Sequence, residues 1–168
     1  MPSDAVLYQA AALCLTRPDD GLLARLPLLR EAAPQVREFA DHAAVTPAAE
    51  LRAQWERVFG PRPGLYLSRW AGADGAADDG SLARYARAYR AHGLEFAGDE
   101  PPDFLPAVLE LAARTGETGL LTDHRAGLEG LRARLTALGT PYASVLDAVC
   151  AALPLPRPTP PPSRRPPP

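Results

Sequence analysis

The sequence predicts an all-helical, single-domain bundle of about six or seven helices. Apolar residues recur at helical spacing along most of the chain, as Leu51, Trp55, Val58 and Phe59 do. Only the short segment 64–70, "GLYLSRW", approaches the strict alternation of a strand. A chain of 168 residues with 46% hydrophobic content can bury a core without disulfides or metals.

Three helix signals lie in the first part of the chain. The first helix is predicted over about residues 4–16, ahead of "RPDDG". Either Asp20 or Pro27 opens a second, interrupted stretch. The pair Thr46-Pro47, an N-cap residue followed by proline at the first helical position, opens the third helix.

Further signals follow an irregular segment near residues 60–80. Ser81 precedes a helix that carries two tyrosines on one face and stops at Gly93. A stripe of leucines at helical spacing ends at Gly139, and Thr140-Pro141 opens the last helix.

The composition changes sharply near the end of the sequence. We expect a helical domain over residues 1–153 and a disordered, proline-rich tail over residues 154–168, where nine of fifteen residues are proline. The tail carries three arginines and no acid. Because the net charge of the whole chain is -2, the remaining body carries about -5.

The composition also indicates the compartment. Cys14 and Cys150 lie in apolar helical runs, where a cysteine behaves as a small core residue, so we expect a reducing cytoplasm. No apolar run is long enough to span a membrane, and the N-terminus has no basic region typical of a signal peptide. We therefore expect a cytoplasmic protein that does not insert into membranes.

The sequence offers little for catalysis. His42, His92 and His124 stand alone, without the spacing of a metal site, and no phosphate-binding glycine loop occurs. The loop "GADGAADDG" lacks the ligand pattern of a calcium site. The acidic body would repel nucleic acid. We expect neither an enzyme nor a cofactor-binding or nucleic-acid-binding protein.

The stretch "GDEPPDFLPAVLEL", residues 98–111, concentrates acids and prolines before an apolar helix. Proline pushes the preceding residue out of the helical region, so Asp103 is predicted to cap a helix that begins at Phe104. Asp99 and Glu100 would then form a fixed acidic rim outside that helix. In the alternative interpretation, Asp103 is only a helix cap, and Asp99 and Glu100 are ordinary solvated acids.

Four runs of the sequence form a recognisable pattern: "LRAQWERVFGPRPGLYLSRWAGADG", "GSLARYARAYRAHGLEF", "DEPPDFLPAVLELAA" and "TPYASVLDAVCAALP". In this order and spacing, they closely resemble the NarJ-type nitrate reductase molybdenum cofactor assembly chaperones, a branch of the TorD/DmsD redox-enzyme maturation proteins. The chain differs from the family pattern at Gly60, where an aspartate is usual, and in the acidic loop 72–80.

The resemblance implies a non-enzymatic, all-helical cytoplasmic chaperone. Such proteins bind the N-terminal segment of the apo catalytic (alpha) subunit of respiratory nitrate reductase and hold it competent for molybdenum cofactor insertion and membrane docking. A groove of aromatic and aliphatic side chains with an acidic rim suits an amphipathic, basic helix. We predict this peptide-binding set: Leu65, Tyr66, Leu67, Trp70, Tyr85, Tyr89, Asp99, Glu100, Asp103, Phe104, Leu105 and Leu109.

Alternatives remain open at this point. Tyr85 and Tyr89 lie in helical stripes that are also typical of a core. The client is alternatively another molybdopterin oxidoreductase, exported by the twin-arginine route. A helical adaptor that recruits a partner through its polyproline tail is a further alternative. The sequence does not decide between a monomer and a homodimer.

Overall fold

The computed structural model describes residues 4–60, 64–67, 79–95 and 101–155. These residues form nine α-helices and one short 3-10 helix, Pro34–Val36. The α-helices are α1 (Asp4–Leu15), α2 (Asp20–Ala32), α3 (Arg37–Val45), α4 (Ala48–Phe59), α5 (Asp79–Ala91), α6 (Leu105–Thr115), α7 (Gly119–Asp123), α8 (Arg125–Leu138) and α9 (Tyr142–Ala152).

The predicted all-helical class is confirmed. Within the described ranges there is no strand, and a single antiparallel bridge joins Tyr66 to Phe104. The helices outnumber the predicted six or seven for two reasons. The interrupted second stretch is two helices separated by the 3-10 turn, and α7 has only five residues, which is too short for a periodic apolar pattern.

Local signals account for several helix ends. Asp19 caps α2, since its Oδ1 accepts a hydrogen bond from the backbone N–H of Leu22 at 2.7 Å. Gly116 and Gly139 end α6 and α8 with φ of 75° and 65°, in the left-handed region that glycine tolerates. A Cβ at Gly60, after α4, would lie 2.9 Å from the carbonyl oxygen of Glu56, so the close backbone approach requires glycine there.

Three predicted helix starts are wrong. Thr46 donates its hydroxyl to the carbonyl of His42 at 2.6 Å and so closes α3, while Pro47 occupies the N-cap position of α4. The predicted start at Thr140-Pro141 is shifted in the same way, because the proline is the N-cap of α9. Ser81 lies inside α5, which begins two residues earlier. In all three cases a serine or threonine pattern indicated a start that the backbone places elsewhere.

The core is built around α1. This helix packs against α6 and α9, α9 in turn packs against α8, and α2 packs on α3. Ala10, Ala11 and Ala12 are buried on α1, and their small side chains let neighbouring helices approach closely. Cys14 and Cys150 are buried free thiols, as the sequence predicts.

Three further expectations concern membrane insertion, the proline-rich tail and the acidic loop. No helix among the described residues has both the length and the apolar character needed to cross a bilayer. Pro154 and Leu155 are exposed, and the remainder of the predicted tail, residues 156–168, lies outside the described residues. Residues 72–78 of the acidic loop also lie outside them.

Candidate functional site

Two of the predicted site segments lie side by side. The backbone N–H of Leu67 donates to the carbonyl of Asp103 at 3.0 Å, and that of Leu105 donates to the carbonyl of Leu65 at 2.6 Å. The segments therefore run antiparallel and meet at the start of α6. This contact joins residues about forty positions apart in the sequence.

The short pairing gives the two segments an inner and an outer face. Leu65, Leu67 and Leu105 point into the core and are at most 1% exposed. Tyr66 and Phe104 are half-buried on the other face, with ring centroids 5.5 Å apart. We call these two residues the surface aromatic pair.

Several predicted site residues are thus part of the core. The leucines of segment 64–67 were expected on an exposed surface; instead, strand-like alternation turns Leu65 and Leu67 inward and leaves Tyr66 outside. Leu105 and Leu109 on α6 are also fully buried. Leu65, Leu67 and Leu105 flank the surface aromatic pair along the two segments and lie on their buried face.

The remaining predicted residues divide into two groups. Tyr85 and Tyr89 lie in the core, which agrees with the core interpretation of their helical stripe. Trp70, Asp99 and Glu100 lie outside the described residues. Their part in peptide binding stays a prediction.

Asp103 does not cap α6 as predicted. The helix begins at Leu105, Phe104 occupies the N-cap position, and no side chain caps it. No cap is needed at the first two positions, because the N–H of Leu105 bonds to Leu65 and Pro106 has no N–H. The Asp103 side chain is instead buried, with 2% of the residue exposed.

Tyr85 belongs to a polar cluster that also contains His124 and the carbonyl of Leu120. The Tyr85 hydroxyl lies 2.9 Å from Nε2 of His124, and Nδ1 of His124 lies 2.8 Å from the carbonyl of Leu120. Burial, assisted by the negative charge of Asp103, raises the pKa of Tyr85 to about 12. The cluster joins α5 to the end of α7.

An ion pair reinforces the same junction. Arg84, next to Tyr85 on α5, pairs with Asp123, next to His124 on α7. Both side chains are about half exposed, so the pair orients the helices more than it stabilises them. Sequence reasoning missed this junction, because nothing in the sequence links positions 84–85 with positions 123–124.

The described residues offer no metal chemistry. They contain no group of three histidine, cysteine or acidic side chains placed to hold a metal ion. His42 Nε2 lies 2.7 Å from the Gln54 amide oxygen, and His92 is exposed near the end of α5.

The helical fold has a counterpart among solved crystal structures. A crystal structure of a candidate redox enzyme maturation protein from Archaeoglobus fulgidus has this fold, with a TM-score of 0.71 and 20% sequence identity. The match covers 88% of this chain and 91% of that chain. It shows that the two chains share the same helical frame.

The chain belongs to the nitrate reductase delta subunit family, whose model matches residues 26–147. It is also 37% identical over 92 residues to the nitrate reductase-like protein NarX of Mycobacterium tuberculosis, in strains CDC 1551 and H37Rv. That match covers 53% of this chain and 14% of NarX, so the chain corresponds to a small part of that relative. The resemblance to NarJ-type maturation chaperones is confirmed at the level of family and fold.

Proposed function

We propose that this protein is a system-specific chaperone of respiratory nitrate reductase. It binds the N-terminal segment of the apo catalytic subunit and holds that subunit competent for molybdenum cofactor insertion and membrane docking. The observation that carries the proposal is the family match over residues 26–147. The cytoplasm is the proposed compartment, and the protein acts without a cofactor of its own.

The surface aromatic pair supports a site for the client segment. Tyr66 and Phe104 present aromatic area at the protein surface, on a base of buried leucines. Aromatic side chains lose little conformational entropy on binding and often dominate interface energies. An amphipathic client helix would lay its apolar face on this pair.

Two acidic residues that are close to Phe104 in the sequence complete the proposed site. Asp99 and Glu100 precede Phe104 by five and four positions, respectively. Carboxylates at the rim of an apolar contact attract a basic segment and speed its association. The client segment is therefore proposed to be amphipathic and basic.

A binding experiment tests the site. The probe is a labelled synthetic peptide of the N-terminal segment of the nitrate reductase catalytic subunit from the same organism, with a scrambled peptide as reference. Replacing both Tyr66 and Phe104 by alanine should weaken binding at least about thirtyfold, because aromatic hot-spot residues contribute about 2 kcal/mol or more. Leu28→Ala, at an exposed leucine of α2, is the control and should bind normally.

Two outcomes would contradict the proposal. Wild-type protein that does not distinguish the peptide from its scrambled form would exclude binding of the N-terminal segment. Preference for the leader peptide of a twin-arginine-exported molybdopterin enzyme would assign a different client.

Cofactor insertion is tested in cells that lack this protein. The molybdenum content of nitrate reductase purified from these cells should fall.

A further inference from the structure

A cleft opens where α3, α4 and the turn between α8 and α9 meet. Its volume is about 420 Å³, which is within the range of binding pockets in proteins. Its lining includes His42, Gln54, Arg57, Val58, Leu138 and Pro141. Tyr66 and Phe104 lie on other segments, so this cleft is a different surface from the surface aromatic pair.

Hydrogen bonds between helices hold the walls of the cleft. Nε2 of His42 lies 2.7 Å from the amide oxygen of Gln54, and this contact joins α3 to α4. Arg134 on α8 donates to the carbonyl oxygen of Val58 at 2.7 Å, which joins α8 to the end of α4. Because the walls are already joined, a partner that binds here has little to order.

Two apolar side chains stand at the rim of the cleft. Leu138 is 57% exposed and Val45 is 83% exposed. Val45 follows His42 by three positions on α3, so both side chains lie on the same side of that helix. With Val58 and Pro141 in the lining, they form an apolar area that extends beyond the cleft. A small molecule in the cleft would leave Val45 in water, whereas a protein segment that lies across the rim would cover it.

The charge at the cleft is positive. Arg57 is exposed and forms no ion pair within the described part of the chain, and no acidic side chain among the described residues lines the cleft. Arg134, bonded to the carbonyl of Val58, adds a second positive charge beside the lining. The body of the protein carries about -5, so this basic rim stands out against an acidic surface. A partner with carboxylates complements it.

Charge also separates the candidate occupants. The proline-rich tail carries three arginines and no acid, so Arg57 and Arg134 would repel it. A symmetric dimer through this face would bring the same two arginines of both copies into one interface. A segment of another protein with apolar and acidic side chains meets neither cost.

We propose that the cleft is a docking site for an acidic, amphipathic helix of a partner protein. Apolar side chains of that helix contact Leu138, Val58 and Val45, and a carboxylate pairs with Arg57. The proposal goes beyond the proposed function, which places a basic client segment on the surface aromatic pair. The two surfaces then select segments of opposite charge.

The test uses two labelled synthetic peptides that form amphipathic helices with leucines on one face. The other face carries glutamates in the first peptide and lysines in the second. The protein should bind the glutamate peptide at least about tenfold more tightly at low salt, and the difference should shrink as salt is added. In NMR spectra of nitrogen-15-labelled protein, the glutamate peptide should shift the amide signals of Val58, Leu138 and Gly139.

Two single variants test the contacts. Leu138→Ala should weaken binding of the glutamate peptide about five- to tenfold, because it removes apolar area from the interface. Leu28→Ala, at an exposed leucine of α2 outside the cleft, is the matched control and should bind like wild type. Arg57→Gln should weaken binding about two- to fivefold and reduce its salt dependence. Because all three side chains are exposed, the variants should fold normally.

Equal binding of the two peptides, binding of neither, or unchanged binding by Leu138→Ala would each overturn the proposal. Self-association of the wild type that Leu138→Ala abolishes would instead assign the cleft to a second copy of this chain. Amide shifts at Leu138 and Gly139 on truncation after Leu155 would assign it to the proline-rich tail.

A double variant separates this proposal from the proposed function. Replacing Tyr66 and Phe104 by alanine should leave affinity for the glutamate peptide unchanged. Failure of the nitrate reductase peptide to bind would contradict the proposed function and leave the result at the cleft intact. Loss of glutamate-peptide binding in the double variant would place that peptide on the surface aromatic pair and overturn docking at the cleft.

Discussion

The indole N–H of Trp55 on α4 donates to the carbonyl of Leu15 in the last turn of α1, at 2.9 Å. Carbonyl groups at the end of a helix have no partner within the helix, so Trp55 satisfies a group that would otherwise need water. Its ring also packs on Phe59, with centroids 5.8 Å apart. The hydrogen bond of this side chain therefore joins α4 to the end of α1, while its ring packs on a neighbour in its own helix.

Trp55→Phe should keep most of the packing and lose the hydrogen bond. We expect the free energy of unfolding to fall by about 0.5 to 1.5 kcal/mol, the usual contribution of one such bond. Urea denaturation followed by circular dichroism measures this change. Arg57→Ala, on the exposed side of the same helix, should stay within about 0.5 kcal/mol of wild type. Equal losses in the two variants would show that the bond to Leu15 contributes nothing.

Arg125 should stabilise the end of α9. Its guanidinium donates to the carbonyls of Cys150 and Pro154 at 3.3 and 3.1 Å, and its side chain is only 20% exposed. A cation at a helix C-terminus also interacts favourably with the helix dipole. Arg125→Met, which keeps the apolar stem, should reduce stability by about 1 to 3 kcal/mol. Arg87→Met on the exposed face of α5 is the matched control, and an unchanged midpoint for Arg125→Met would contradict the prediction.

Tyr142 should tolerate loss of its hydroxyl. The ring packs between Phe39 and Phe59, at centroid distances of 4.8 and 4.9 Å, while the hydroxyl has no hydrogen-bond partner among the described residues. Tyr142→Phe should therefore leave thermal stability unchanged or slightly higher. Tyr142→Ala should cost about 3 to 5 kcal/mol, because it leaves a cavity. A phenylalanine variant that loses more than about 1 kcal/mol would mean that the hydroxyl has a partner.

Stability should fall at alkaline pH. Burial raises the pKa of the Cys14 thiol from 9.0 to about 12. Between these values the unfolded chain loses the thiol proton and the native protein keeps it, so ionisation favours unfolding. The contribution is complete below about pH 9 and is lost as pH rises toward 12. Denaturant midpoints across this range should decline less steeply for Cys14→Ala than for wild type, and parallel curves would contradict the assignment.

The sequence by itself determined the helical class and much of the helix order. Apolar spacing and stop glycines such as Gly139 act within a few residues, so they can be identified without knowledge of distant contacts. Both cysteines were correctly assigned to the core for the same reason. The family resemblance was also apparent from separated runs of residues in a fixed order.

Only the tertiary structure decided the makeup of the site. The antiparallel contact between segments 64–67 and 103–105 turns Leu65 and Leu67 inward and brings Tyr66 against Phe104. It also satisfies the first N–H of α6, which removes the need for Asp103 as a cap. These outcomes depend on hydrogen bonds between residues about forty positions apart, and local sequence patterns carry no signal for such pairings. The sequence therefore located the region of the site, while long-range packing determined which of its side chains reach the surface.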